Sequence, residues 1–285
     1  MVGVPNTESL SMSKDANTVR VLYIGDVVGK PGRVAVRELL DSVVDRYNID
    51  LVAANAENVA GGFGVTEATT DELFAAGVHI LTTGNHVWDK KEGLELLASE
   101  PERILRPANY PPDAPGSGLA TVETPGGISI TIVNLSGRVF MDNMDCPFRK
   151  ADALLSDLDP KMPCIIVDFH AEATSEKRAL GLYLDGRVSA VLGTHTHIQT
   201  ADERIMKGGT AYVSDLGMTG NEEGSVIGID FKAARHRFLT QMPTRFDLAK
   251  GVPALCGALV EIDTDTGKAV SIERINKSLE RSVSP

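Results

Sequence analysis

Hydrophobic and polar positions near the start of the chain repeat one unit: an apolar run, a break into polar side chains, then residues spaced for a helix. Val19-Arg20-Val21-Leu22-Tyr23-Ile24 leads into Gly25-Asp26, the pattern of a mostly buried strand that stops at a carboxylate. Beyond it Pro31 suits a first helical turn, and Val34, Leu39, Leu40, Val43 and Val44 recur at helical spacing. The next run, Leu51 to Ala54, ends in Asn55-Ala56-Glu57-Asn58 and a turn rich in glycine at Gly61, Gly62 and Gly64. Thr66 to Ala76 reads as a helix with Thr66 and Thr69 as alternative caps. Val78 to Thr83 is a third strand, which delivers Gly84, Asn85 and His86. This βαβαβ pattern predicts a parallel sheet whose ligand site lies at the carboxyl ends of its strands.

The middle of the chain changes character. Thr121 to Thr124, a Pro125-Gly126-Gly127 turn and Ile128 to Leu135 predict a hairpin, hence antiparallel strands at a sheet edge or in a second sheet. Pro107 to Gly118, rich in turn-formers, reads as a surface loop at the rim of the site. Cys164 to Val167 is a strand ending at Asp168-Phe169-His170, and Ser189 to Leu192 another ending at Gly193-Thr194-His195-Thr196-His197. Thr210 to Ser214 follows a Gly208-Gly209 turn, and Ala258 to Ile275 forms a hairpin around Asp263 to Gly267. With no internal repeat and no clear linker, residues 19–285 read as one domain. Met1 to Thr18 reads as a disordered extension, with Met12 as an alternative beginning.

Composition narrows the partners. At 285 residues, 42% hydrophobic and 24% charged, the chain has the balance of a soluble globular protein with a full core. Its formal net charge of −11 repels a long polyanion, so long nucleic acid is not an expected partner. A small phosphorylated substrate held by bound cations escapes that objection. The three cysteines, Cys146, Cys164 and Cys256, form no CxxC pair, which fits reduced thiols in the cytoplasm. No apolar run approaches the roughly 20 residues of a membrane helix, and Met1 to Thr18 lacks an apolar signal region. The expected location is therefore cytoplasmic, away from membranes.

Collected together, the strand-end residues are Asp26, Glu57, Asn58, Asn85, His86, His170, His195 and His197. Any one of them alone is more often structural than a ligand. Jointly they say more, because four of the six histidines lie at predicted carboxyl ends of strands, beside acids and amides. His195 and His197 are one residue apart, and positions i and i+2 of extended chain face one side. Imidazole, carboxylate and amide donors together suit Mn, Fe or Zn better than Ca, and they are too many for one tetrahedral ion. Two metal ions are expected. At the turn after the third strand Asn85 would hold a metal while His86 delivers a proton.

The ordered blocks Gly25-Asp26, Glu57-Asn58, Gly84-Asn85-His86, His170 and Gly193-Thr194-His195-Thr196-His197 resemble those of the calcineurin-like metallophosphoesterases. The wording from Ile24 to Arg33, from Thr83 to Lys90 and from Asp168 to Lys177 resembles the bacterial YmdB-like subgroup. The resemblance covers about Val19 to Ile275 and implies an α/β fold, a four-layer α-β-β-α sandwich of two mixed sheets flanked by helices. It further implies a dinuclear site: Asp26 and His197 on the first metal, Glu57 bridging both, and Asn85, His170 and His195 on the second. The chain departs from the wider superfamily in one block, where Val28 stands in the place of a ligating histidine. Asn58 is the candidate replacement, and Glu57 takes the place of the more common bridging aspartate. These oxygen-rich features shift the expected metals toward Mn or Fe.

Two cations roughly 3.5 to 4 Å apart would lower the pKa of a bridging water and neutralise charge developing on phosphorus, with His86 as general acid on the departing oxygen. The substrates that the resemblance implies are small cyclic nucleotides of the 2′,3′-cAMP or 3′,5′-cAMP type. A phosphomonoesterase, a nuclease at RNA ends, or a nucleotide-sensing regulatory protein with weak activity would use the same residues. A homo-oligomer is compatible with the sequence. Several other residues read as plain structure: His79 in a strand, His236 between Arg235 and Arg237 on the surface, and Trp88 as packing. The Gly61 to Gly64 run reads as a tight turn rather than a phosphate cradle. Asp168 is either a partner that orients His170 or a solvated strand end, and Lys177 and Arg138 read as surface groups.

Overall fold

Thr18–Ile24 forms β1, whose seven residues are all buried because it runs inside a mixed sheet with a strand on either side. The computed structural model describes residues 17–279. The sequence-based extension therefore lies outside the described residues as far as residue 16, and Thr18 already belongs to the sheet. After Gly25 come the short β2 (Asp26–Val27) and helix α1 (Gly29–Tyr47), with Pro31 in the first turn where its missing N–H costs nothing. Next are β3 (Leu51–Asn55), α2 (Glu67–Ala75), β4 (Ile80–Thr82), α3 (Lys91–Ser99) and β5 (Ile104–Leu105). Strands β1, β3, β4 and β5 are parallel neighbours in that order, so the βαβαβ expectation holds and continues by one more unit. At the start of α2 the Thr66 N–H donates to Thr69 Oγ1 at 3.2 Å. The two threonines act together rather than as alternatives.

The chain then builds a second sheet. Strands β6 (Leu119–Glu123) and β7 (Ser129–Ser136) form the expected antiparallel hairpin. They are followed by α4 (Pro147–Asp157), β8 (Ile165–His170), α5 (Thr174–Leu184) and β9 (Ala190–Thr194). With β10 (Arg204–Ile205) and β11 (Ala211–Val213) they make a six-stranded sheet ordered β10-β11-β9-β8-β7-β6. Its inner strands are parallel and its two outer pairings antiparallel. The return to the first sheet is by β12 (Met218–Asn221), a small hairpin of β13 (Ser225–Val226) and β14 (Ile229–Asp230), and α6 (Phe231–Thr240). The long β15 (Pro253–Asp263) and β16 (Ala269–Ser278) complete it, giving eight strands ordered β2-β12-β15-β1-β3-β4-β5 with β16 on β15.

Alternation along the strands divides the core. Leu22 and Ile24 of β1 join Val36, Leu40 and Val43 of α1 in one cluster, while Val19, Val21 and Tyr23 point the other way and join Ile132, Ile166 and Leu192 of the six-stranded sheet. The third cluster sets Val133, Val167, Phe169 and Val191 against Leu180 and Leu184 of α5. The three cysteines are unpaired, two of them buried. Among the described residues no helix is long and apolar enough to cross a membrane. The polar clusters fall where the sequence puts them, at or just past the carboxyl ends of β1, β3, β4, β8 and β9. Strand ends from both sheets thus supply one site.

Candidate metal centre

Glu57 occupies the middle of the site. It follows β3, is buried, and its N–H closes a turn onto Asn55 Oδ1 at 3.1 Å. Its Oε1 lies 3.2 Å from His170 Nε2, and its Oε2 accepts the His86 backbone N–H at 3.1 Å. The ligand-capable atoms of Glu57, His170 and His195 lie within 4.8 Å of one another, and so do those of Asp26, Glu57 and His197. Glu57 is common to both groups.

Each imidazole has its outward nitrogen fixed. The Thr194 hydroxyl donates to Asp168 Oδ1 at 2.7 Å, so its oxygen is left to accept from His170 Nδ1 at 3.0 Å. His195 Nε2 lies 3.1 Å from the Glu172 carboxylate, and His197 Nδ1 lies 2.9 Å from the Ile227 carbonyl; neither partner has a proton to give. All three outward nitrogens are therefore donors, and the inward ones, His170 Nε2, His195 Nδ1 and His197 Nε2, turn their lone pairs toward Glu57 and Asp26 when neutral. Thr82 and Asn55 also donate to Asp168, at 2.5 and 3.2 Å, so the buried Asp168 orients His170 through Thr194 and is not a solvated strand end.

Among protein atoms alone, the charges betray a place built for a cation. Burial would lower His170, but the charge and hydrogen bond of Glu57 outweigh it and push the imidazole up to about 9. Its Nε2 proton is surrounded by three acceptors: Glu57 Oε1, Asn85 Oδ1 at 3.0 Å and His195 Nδ1 at 3.0 Å. Burial and the His170 charge push His195 down to about 3. Burial also raises Asp26 to about 6, against the pull of His197. Asp26 Oδ2 accepts the His195 N–H at 3.1 Å, but the buried Oδ1 has no hydrogen-bond partner among the described residues. An orphaned carboxylate oxygen beside three convergent imidazoles fits divalent metal ions. Gly84 is required by this crowding, since a Cβ there would lie 2.2 Å from His170 Cδ2 and 2.5 Å from Glu57 Oε2.

The remaining predicted residues join the same cluster. Asn58 Nδ2 lies 3.1 Å from Glu57 Oε1 and 3.2 Å from His197 Nε2, so its amide group faces the site with nitrogen rather than oxygen inward. His86 stands at the edge, half-buried, its Nδ1 2.8 Å from Asp89 Oδ2 and its ring edge-on to Phe63 at 4.9 Å between centroids. Asp89 is a functional candidate that the sequence reading left without a role; the His-x-x-Asp spacing was its signal. Asp215 is another. It accepts from Thr196 N–H and Oγ1 at 3.0 and 2.8 Å and pairs with Lys177 Nζ at 2.7 Å, clamping the turn that carries both histidines.

Three sequence expectations are corrected. His195 and His197 do not converge by strand alternation: β9 stops at Thr194, and both residues have positive φ, 99° and 65°, so a left-handed turn brings them together. Such backbone is uncommon outside glycine and is typical of functional sites. Lys177 is no surface group, being buried and bonded to Asp215 and the Thr194 carbonyl. Pro107 to Gly118 contributes nothing to the wall of the cavity at the site; part of it folds instead onto Arg106, which donates to the carbonyls of Pro107, Ala114 and Pro115. The structural readings of His79, which accepts the Val52 N–H at 3.1 Å, and of Trp88, packed edge-on against Tyr110, hold. The Gly61 to Gly64 run is a tight turn, with positive φ at Gly61, Gly62 and Gly64, and Gly61 and Gly62 also line the cavity at the site.

A cavity of about 280 Å³ opens beside the donors, and its lining includes Glu57, Asn58, His86, His195 and His197 together with Phe63, Ile227, Phe246 and Leu248. A larger cavity of about 430 Å³ lies among Pro163, Ile165, Val188 and Gly208, at the opposite ends of the strands from the titratable cluster.

Residues 22–275 match the family model of YmdB-like proteins. A Bacillus subtilis (strain 168) protein named 2′,3′-cyclic-nucleotide 2′-phosphodiesterase is 47% identical over 257 residues, which cover 90% of this chain and 96% of that protein. Among solved structures, a hypothetical protein from Thermus thermophilus superposes with a TM-score of 0.84 at 45% identity, covering 92% of this chain and all of the other. A Mycoplasma pneumoniae structure described as a novel phosphatase gives a TM-score of 0.86 at 34% identity, covering 92% and 94% of the two chains.

Proposed function

The chain belongs to the family of YmdB-like proteins and is a phosphoesterase, and from that premise we propose that it hydrolyses a small 2′,3′-cyclic nucleotide at a centre of two divalent ions. The observation that carries this reading is the position of Glu57, one buried carboxylate common to two groups of donor atoms. Asp26, Asn58 and His197 would hold one ion, Asn85, His170 and His195 the other, and Glu57 both. Asn58, whose amide nitrogen faces inward among the protein atoms alone, would join the set by turning its amide over to present oxygen. The mixed nitrogen and oxygen donors suit Mn or Fe, with Zn as the alternative. The three core clusters support the four-layer α-β-β-α arrangement of calcineurin-like enzymes.

When bound, two such ions supply a hydroxide near neutral pH and offset the charge that gathers on the phosphoryl oxygens. The protein's own part lies in placement and protons. Thr194, Glu172 and the Ile227 carbonyl fix the three imidazoles in the orientation that presents nitrogen to the centre. Asp89 holds His86 by Nδ1, which leaves Nε2 to hand a proton to the departing ribose oxygen. Phe63 packs edge-on against the His86 ring. None of the described residues that line the cavity is Lys or Arg, whereas Glu172 and Asp247 are among them. That wall suits a diester with a single negative charge better than a monoester dianion or an RNA end, both of which call for fixed cations.

The test is metal content by mass spectrometry on protein purified without added metal or chelator. With it goes turnover of 2′,3′-cAMP, 3′,5′-cAMP and a phosphomonoester before and after Mn²⁺ addition. About two ions per chain and preferred opening of the 2′,3′ ring are expected. A faster monoesterase rate would replace the diester reading. Protein that stays empty and inactive would break the donor assignment and favour a nucleotide-sensing role.

A further inference from the structure

The hairpin of β13 and β14 turns on two residues, Ile227 and Gly228, between the paired Val226 and Ile229. Both have positive φ, 49° and 101°, the pattern of a two-residue type I′ turn, which favours Asn-Gly. A β-branched side chain at the first position is a backbone outlier. Isoleucine at such a position needs a reason. Its carbonyl does hold His197 Nδ1, but a carbonyl is present in every residue type. The side chain is what distinguishes isoleucine, and Ile227, 45% exposed, is among the residues lining the cavity beside the candidate donors.

Ile227 is not alone. Phe63 is 43% exposed, Ile227 45% and Phe246 42%, and all three line that one cavity. Large apolar groups left in water around a single concave surface next to titratable groups mark a ligand platform rather than unfinished core. Resting on the cyclic-nucleotide reading above, we propose that Phe63, Ile227 and Phe246 form a subsite for the nucleobase of the substrate, with the phosphodiester held at the Glu57 end. A heterocycle offers a flat π-face to such side chains whatever its identity. The neighbouring carboxylates of Glu172 and Asp247 accept N–H and O–H groups but repel a second phosphate. The platform therefore suits a nucleoside and disfavours an oligonucleotide.

The experiment compares kcat/KM for 2′,3′-cyclic AMP with that for propane-1,2-diol cyclic phosphate, which has the same five-membered diester and no base. It uses wild type, Ile227→Asn and Phe246→Ala, with thermal midpoints and calorimetric binding of adenosine for each. Wild type is expected to prefer the nucleotide by about fivefold to a hundredfold, the range of one base stacked on an aromatic group. Phe246→Ala should remove most of that preference, Ile227→Asn a smaller part, and both should weaken adenosine binding. Ile227→Asn should do so without lowering the midpoint, since asparagine suits the turn better. A wild type without preference, or an Ile227→Asn enzyme whose two activities fall by the same factor, would overturn the subsite and leave the phosphodiesterase standing. Failure of wild type on both diesters would sink the phosphodiesterase reading instead. In that event adenosine binding that weakens in both variants would still uphold the subsite, and adenosine that does not bind would sink it too.

Discussion

Thr194 Oγ1 lies 3.0 Å from His170 Nδ1 and, with its own hydrogen committed to Asp168, acts there only as an acceptor. One hydroxyl thus decides which nitrogen of a buried imidazole faces the centre. Thr194→Val keeps the shape but strands a buried N–H and a carboxylate oxygen, at a cost of about 1–3 kcal/mol in stability. Metal affinity should fall by about 10- to 100-fold. Competition with a chromogenic chelator measures it, and Thr194→Ser should restore most of the loss. Equal affinity in wild type and Thr194→Val would mean that Asp168 and Thr194 serve the fold only.

His86 and Asp89 divide the work of one acid. His86→Ala should lower turnover of a cyclic nucleotide by about 10²- to 10⁴-fold while metal content stays the same, because only its backbone N–H touches Glu57. Asp89→Asn should cost about tenfold, since an amide can present nitrogen as well as oxygen to Nδ1 and so fixes the ring's orientation and tautomer less firmly. Both deficits should shrink on a diester with a p-nitrophenolate leaving group, which departs without a proton. A His86→Ala protein that loses metal would make His86 a ligand and overturn its role as acid.

Metal uptake must displace a proton from His170. That imidazole is pushed up to about 9 by Glu57, which outweighs burial, and the ordinary value is near 6.5. A folded value above the unfolded one gives stability that is present below about 6.5 and lost as pH rises through about 9. Asp26, raised to about 6 by burial, acts with the same sign in the window that begins at the ordinary carboxylate value. Protein stripped by a chelator should therefore lose denaturation midpoint from pH 6.5 to 9, while its affinity for Mn²⁺ rises across the same window. Calorimetry in buffers of different ionisation heat should register the released proton. An affinity that stays flat over that range would mean that His170 holds no ion.

The sequence makes one end of the sheets legible because β1, β3, β4, β8 and β9 each terminate there in a short polar block, and topology gathers such ends without fine geometry. Glu57 and His170, 113 residues apart, meet at 3.2 Å for that reason. Conformation inside the blocks is another matter. Nothing in Gly193-Thr194-His195-Thr196-His197 announces two left-handed histidines, since that turn is held from outside by Asp215. Lys177 looks like any helix-surface lysine until Asp215, 38 residues later, is folded against it. Asp89 sits three residues past His86, yet only the turn after β4 brings their side chains together. The apolar cavity wall is illegible in the sequence because Phe63, Ile227 and Phe246 come from separate loops with no common period, and because Ile-Gly is a poor advertisement for a tight hairpin turn.

Lys177 and Asp215 supply the sharpest test of how the site is braced. Their side chains are only 2% and 1% exposed, so removing the ammonium leaves a buried carboxylate without its counter-charge. Lys177→Met should cost about 3–5 kcal/mol of stability by denaturant titration, far more than the near-zero effect of a surface lysine. The loss should reach the site as well. Asp215 fixes Thr196 by two hydrogen bonds, and Thr196 lies between two histidines in strained backbone. A loosened clamp should therefore weaken metal binding in the protein that remains folded. Removing both charges, Lys177→Met with Asp215→Leu, should recover part of the stability, because the stranded charge is gone although the hydrogen bonds of Asp215 to Thr196 and Gly217 are lost with it. It should not recover the metal affinity, because Thr196 has lost its acceptor. A double variant that recovers both would show the pair to be packing alone.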